Sequence, residues 1–290
     1  MTLADPRQAN YQLGKAGLFI LVGSQRSGTN FFREVMNTHP QMAVHGEILW
    51  PYPLPNVWHN YVRHLVSRAM PPILDSDATA LVDDYFVHLD DDTKRGYPDK
   101  AKDLAMVGVD IKYNQLRFIA PLIQDLMEAP FLLRYCHNRR VRIVHMYRRN
   151  VLHQALSLAI ADHRNVYHNY QGRKFEGQVT IPAKKVTESC YWIREQRDLF
   201  RQLSKDLTVL EVAYEDVAQA CESAGSGKPL AQKSAVMQQI ADFLQLPNKF
   251  TSPTSIAKVI NRPFKEILAN HAEVLAAVKR SEFAEFATTM

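Results

Sequence analysis

Cysteine is scarce in this chain and poorly placed for cross-linking. Cys136, Cys190 and Cys221 are odd in number, widely separated, and form no CxxC pair. That pattern excludes a disulfide framework and a zinc ribbon and points to the reducing cytoplasm. Long apolar runs are missing too: no stretch approaches the ~20 apolar residues that span a bilayer. Met1 to Lys15 is polar and lacks the charged-then-apolar pattern of a signal peptide. There is no internal repeat and no low-complexity tract. Nor is there a decisive excess of one charge, since Lys plus Arg outnumber Asp plus Glu by only 35 to 30, for a net +5. A modest basic excess, with a pI near 9.0, suits an anionic ligand, but many plain enzymes carry one. A nucleic-acid surface would need a basic stripe interleaved with aromatics, which is absent. Arg194, Arg197 and Arg201 share one helix face and read as solvated.

What remains is a chain of 290 residues, 46% hydrophobic and 22% charged, ample for a core without staples. Leu18 to Val22 is a short apolar run ending in Gly23, the pattern of a strand buried on both faces. Helical spacing follows over Asn30 to Asn37, closed by His39-Pro40. Met106 to Tyr113, Val141 to Tyr147 and Leu207 to Val212 read as further interior strands. Helices are expected over Tyr61 to Met70, Ala78 to Leu89, Asn150 to Ala161, Thr187 to Leu203 and Ser234 to Leu246. The charged run Asp90 to Lys102 reads as a surface loop. Alternating strands and helices predict an α/β fold, a P-loop-like central parallel sheet with helices on both faces. One domain over residues 1–290 is expected, with residues 1–16 as an N-terminal extension and residues 50–102 as an insertion beside the candidate site.

The segment Gly23 to Asn30 reads GSQRSGTN between predicted strand and helix. A turn there aims backbone N–H groups and a helix N-terminus at one point, which suits a phosphate. Gly23 and Gly28 allow close approach, Ser24, Ser27 and Thr29 add hydroxyls, and Gln25 and Arg26 lie inside the loop. The spacing approaches the nucleotide-triphosphate pattern GxxxxGK[ST]. However, Thr29 stands where that pattern needs Lys, and Asn30 where it needs the magnesium-binding hydroxyl. A kinase or ATPase would lack its charge clamp and metal ligand. Arg26 offers a fixed guanidinium instead. The plain alternative is an ordinary Gly/Ser turn. A second candidate anion site follows Tyr147: Arg148-Arg149 at a strand end, with Ser157 eight residues after Arg149.

Together these segments resemble the PAPS-dependent sulfotransferases, which take a sulfuryl group from 3′-phosphoadenosine 5′-phosphosulfate. Arg26-Ser27-Gly28-Thr29 is similar to their 5′-phosphosulfate loop. Arg149 and Ser157, within YRRNVLHQALS, are similar to their 3′-phosphate pair. LEVAYEDVA at Leu210 to Ala218, read as a strand ending in Tyr-Glu-Asp, and IADFLQLP at Ile240 to Pro247 resemble a further shared segment. The likeness is strongest to bacterial carbohydrate sulfotransferases of the nodulation-factor and trehalose-sulfating type. It implies PAPS as donor, no metal, and a hydroxyl-bearing sugar or glycolipid as acceptor. It also implies a tendency to form homodimers.

The resemblance assigns Glu47, in His45-Gly46-Glu47, as general base, and places Lys112 beside the site. His45 is the rival base, with a reference pKa of about 6.5 nearer neutrality. The family's glycine-rich C-terminal segment is absent, which leaves Lys258, Asn261 and Arg262 as candidates for closing over the nucleotide. Trp50, Tyr52, Trp58, Tyr61, Tyr85 and Tyr97 are candidates for stacking on a sugar, or else packing residues. Tyr167, His168 and Tyr170 are similar loop candidates. The competing readings are a P-loop kinase or ATPase and a non-catalytic polyanion-binding protein.

Overall fold

The computed structural model describes residues 12–13, 16–50, 57–66, 75–119, 129–165, 177–230, 234–254 and 262–290. A short strand β1 (Gln12–Leu13) pairs antiparallel with the start of β2 (Ala16–Gly23). Then come α1 (Thr29–Asn37), β3 (Met42–Glu47), α2 (Trp58–Val66), α3 (Asp75–Gly96), α4 (Pro98–Ala101) and β4 (Met106–Lys112). A one-turn 3₁₀ segment, Tyr113–Gln115, follows β4. The chain continues through α5 (Phe131–Arg139), β5 (Arg142–Tyr147), α6 (Val151–Arg164), α7 (Ala183–Leu203) and β6 (Val209–Ala213). It ends with α8 (Tyr214–Ala224), α9 (Ala235–Leu244), α10 (Phe264–Ile267) and α11 (His271–Lys279).

The five parallel strands run in the order β3-β4-β2-β5-β6. All eight residues of β2 are buried, as a strand covered on both faces requires. Its side chains alternate. Leu18, Ile20 and Val22 join Val107, Val109 and Ile111 under α3 and α5. Phe19 and Leu21 join Val44, Val144 and Met146 under α1, α8 and α9. A third cluster holds α6, α7, α10 and α11 together. The predicted α/β fold with helices on both faces is therefore the observed one.

Four expectations are corrected. Asp90 to Lys102 is not a surface loop, because α3 runs through to Gly96 and α4 follows. Its charges are those of an amphipathic helix end: Asp90 is 3% exposed and takes Lys94 at 2.5 Å, one turn on. Lys100, inside the expected loop, donates to the carbonyls of Asn37, His39 and Met42 at 2.6, 3.0 and 2.8 Å, closing the end of α1 onto β3. The arginine face of α7 is not simply solvated. Arg194 pairs with Glu282, Arg197 stacks over Tyr147, and Arg201 grips Glu211 with bonds of 2.6 and 2.7 Å.

The third correction concerns the aromatics. Trp58 and Tyr85 are buried and pack edge to face in the core, so neither offers a sugar-stacking face, and Tyr61, partly buried, packs against it. Trp50 and Tyr97 remain exposed. The fourth is that Tyr214-Glu215-Asp216 opens helix α8 rather than ending β6. Tyr52, Tyr167, His168, Tyr170, Lys258 and Asn261 lie outside the described residues.

Candidate active site

All five parallel strands deliver residues to one edge, their carboxyl ends, where ligands of open α/β sheets bind. From central β2 the chain turns sharply at Gly23, where a Cβ would lie 2.7 Å from the Met146 carbonyl oxygen of neighbouring β5. Arg26 takes a left-handed conformation, φ 61°, and Gly28 follows at φ 101°. A side chain at Gly28 would also meet the Tyr214 ring at 2.3 Å, so this position requires glycine on two counts. The Ser27 hydroxyl donates to the Ser24 carbonyl at 2.8 Å and tightens the turn. Gln154 of α6 donates to the Gln25 carbonyl at 2.8 Å and to the Ser24 hydroxyl. Gln25 reaches Asn114 at 3.4 Å.

Thr29 and Asn30 begin α1, whose N-terminus has no side-chain cap and no acidic residue in its first turn. Its leading N–H groups have no carbonyl of their own helix to reach, and the helix dipole is positive there.

The two candidate anion-binding segments meet. Arg26 Nε donates to Ser157 Oγ at 3.0 Å, across 131 residues of sequence. Among the described residues Ser157 thus bonds Arg26 directly, and no hydrogen bond joins it to Arg149. Burial, and then the neighbouring guanidinium of Arg148, push the Arg26 pKa below its ordinary value. Burial does the same to Arg148, which stacks over Tyr214 at 4.8 Å. Among the described residues the buried Nε of Arg148 has no hydrogen-bond partner and lies 4.0 Å from Glu215. Two crowded, desolvated cations beside an uncapped helix N-terminus make a place where an anion is favoured. Arg149 is outward and half-exposed, forked on Asp216.

On the other side of the loop, β4 ends in a buried pair. Lys112 Nζ donates to both oxygens of Asp110 at 2.7 Å and to Thr29 Oγ1 at 2.5 Å. Those three bonds use all three ammonium hydrogens, and Glu47 Oε1 stands further off at 3.9 Å. Because the Thr29 hydroxyl oxygen accepts from Lys112, its own hydrogen is left to point elsewhere. Buried Gln115 accepts the Lys112 N–H at 2.9 Å through Oε1 and donates to Glu47 Oε2 at 2.8 Å through Nε2. The first contact fixes the amide orientation, and the second steadies the carboxylate.

His45 and Glu47, two residues apart, would share a face in a regular strand. The register shows otherwise: His45 pairs with Val109 and Glu47 with Asp110, so Gly46 is an inserted bulge residue. Glu47 therefore lies on the Lys112 side, and His45 on the opposite side, toward α3. There His45 Nε2 contacts Thr93 Oγ1 at 2.6 Å. Thr93 gives its hydrogen to the Leu89 carbonyl, so His45 must be the donor. Burial lowers the His45 pKa to about 4, which keeps it neutral near pH 7. The bulge thus places only Glu47 beside the loop.

Arg262, the one described residue of the C-terminal trio, bonds the Glu266 carbonyl at 2.8 Å and caps α10. Among the described residues no three His, Cys, Asp or Glu side chains gather as a metal centre would need, and no helix is long and apolar enough to cross a membrane. Asp110, Gln115, Gln154 and Tyr214-Glu215-Asp216 join the site although sequence reasoning gave them no role in it. Asp110 did carry a signal: an acid two residues before a lysine, within an apolar strand, must pair with it. Gln115 and Gln154 carried none.

No family model matches this chain, and no curated protein matches it. Among solved structures it is similar to the sulfotransferase domain from the Synechococcus PCC 7002 olefin synthase, at 16% identity. That alignment covers 85% of this chain and 78% of the other, with a TM-score of 0.36. The overlap is loose, and the fold assignment above rests on the strand order itself.

Proposed function

We propose that this protein is a sulfotransferase that moves a sulfuryl group from PAPS to a hydroxyl of a sugar, a glycolipid or a related small acceptor. The observation that carries the reading is the Arg26–Ser157 contact. It joins the two segments whose sequences resemble the donor-binding elements of the sulfotransferases.

The residues present fit such a donor. Gly23, Ser24, Gln25, Arg26, Ser27, Gly28, Thr29 and Asn30 form an uncapped, cation-lined loop for the 5′ end. Ser157, Arg148 and Arg149 supply hydroxyl and cations for the 3′-phosphate. When bound, PAPS supplies an activated sulfuryl group on a phosphate leaving group. The protein's part is then positioning and electrostatics. Arg26 and the α1 amides stabilise negative charge on the departing phosphate. Thr29, held by Lys112, donates its free hydrogen to an anion at the loop, and Lys112 keeps a buried positive charge behind it. Glu47, steadied by Gln115, takes the acceptor's proton. His45 has no part in this, being neutral and turned to the other face, toward Thr93.

The test is transfer of label from radiolabelled PAPS to a panel of oligosaccharides and glycolipids, without added metal. The wild type should label at least one acceptor, and Glu47→Gln should cut the rate by a factor on the order of 10²–10⁴, the usual worth of a general base. Turnover of ATP with magnesium, and none of PAPS, would transfer the assignment to a kinase or ATPase.

A further inference from the structure

The residues Tyr214-Glu215-Asp216 open α8 and fasten onto both halves of the anion site at once. Tyr214 lies against Gly28 and under Arg148. Glu215 accepts the N–H of Arg149 at 3.1 Å and of Asn150 at 3.3 Å, pinning the backbone where β5 passes into α6. Asp216 then takes the guanidinium of Arg149, Nη1 to Oδ1 and Nη2 to Oδ2, both at 2.6 Å. The pair is open to solvent, with side-chain exposures of 53% and 38%, and exposed pairs contribute little to stability. Its geometry is nonetheless bidentate, which fixes direction. Asp216 occupies the end of the guanidinium between the two Nη atoms. Of its five N–H donors, the Nε–H and one hydrogen on each Nη have no partner among the described residues and can meet a second oxyanion.

We propose that Asp216 is a positioning residue for recognition of a nucleotide phosphorylated at both the 3′ and 5′ positions. It holds Arg149 by one end so that the remaining edge of the guanidinium meets the 3′-phosphate. This inference rests on the donor-binding reading above and adds to it the residue that aims Arg149. The opposite role is a carboxylate that competes with the phosphate for Arg149, and the two roles give opposite results in one experiment.

Adenosine 3′,5′-bisphosphate and adenosine 5′-phosphate are titrated calorimetrically into the full chain, as wild type, Asp216→Asn, Arg149→Ala and the double variant, with folding checked by thermal melting. The wild type should prefer the bisphosphate. Asp216→Asn should leave adenosine 5′-phosphate affinity in place and reduce the preference by about tenfold, the scale of one charge-assisted contact. In the Arg149→Ala background it should add nothing. An unchanged or increased preference in Asp216→Asn overturns the proposal, as does an equal loss for both nucleotides, which would mark a merely structural role. A wild type that binds both nucleotides equally overturns this inference and the 3′-phosphate role given above to Ser157, Arg148 and Arg149, while the 5′-end role of the loop stands. A wild type that binds neither overturns the donor-binding reading and this inference with it.

Discussion

At the β4 side of the loop, Asp110 and Lys112 are 0% and 3% exposed, and every ammonium hydrogen is committed to an internal oxygen. At the β5 side, Arg149 and Asp216 face solvent as an equally well-formed ion pair. The same chemistry serves different ends because the surroundings differ. A buried pair has lost its water, so removing one partner strands a charge. An exposed pair has water as a substitute, so its loss is felt in what it aims rather than in the fold. The buried side fixes a Lys–Asp pair behind the β2–α1 loop, and the exposed side leaves a paired cation facing solvent.

The sharpest way to break this comparison is Asp110→Ala. It leaves Lys112 buried without its carboxylate and should destabilise the protein by about 3–5 kcal/mol, read as a lower urea midpoint. A loss under about 1 kcal/mol would put the pair in effective contact with solvent and erase the contrast.

Next in size is the acid response of His45, which packs on the opposite face of the same strand edge. Its pKa is about 4 in the fold against about 6.5 unfolded. Between those values the unfolded chain binds the extra proton, so stability falls as pH drops from about 6.5 towards 4. The loss is about 3 kcal/mol in all. His45→Gln should flatten that slope in denaturation curves recorded across the window, while a slope identical to wild type would contradict a neutral imidazole.

Gly28→Ala comes third. The left-handed backbone at φ 101° and the Tyr214 ring should together cost about 2 kcal/mol or more. Melting temperature would register it, and bisphosphate binding should weaken with it. A variant as stable as wild type would show that the loop adopts another path. Smallest is Arg149→Ala, expected to change stability by less than about 1 kcal/mol while weakening bisphosphate binding. A large drop in urea midpoint there would mean that the exposed pair holds up the fold after all.

Much of the fold was legible in the sequence. The strand at Leu18 to Val22 announces itself by an unbroken apolar run, and the loop after it by glycines and hydroxyls at fixed spacing. What was not legible depends on contacts between distant segments. The sequence shows His45 and Glu47 two apart, but only the register against Val109 and Asp110 reveals that Gly46 bulges and sends them to opposite faces. The spacing suggests that Arg149 and Ser157 serve one anion, but it does not show that Ser157 bonds Arg26 and that Arg149 is forked on Asp216, because a loop's path fixes which guanidinium reaches which oxygen. The charges of Asp90 to Lys102 suggested a loop, yet i,i+4 pairing and a buried Thr93 make the first part of that run helix. Local pattern names the elements; side-chain partners across the sheet edge name the site.

The proposed function requires the β2–α1 loop, with Arg26 at its turn, to hold the phosphate of a doubly phosphorylated adenosine. The most direct measurement is calorimetric titration of adenosine 3′,5′-bisphosphate into the metal-free protein beside Arg26→Ala. The account predicts saturable binding by the wild type and a loss of at least about tenfold in the variant, the scale of one charge-assisted contact. Equal affinity in the two proteins, or no binding by the wild type at millimolar ligand, would contradict it.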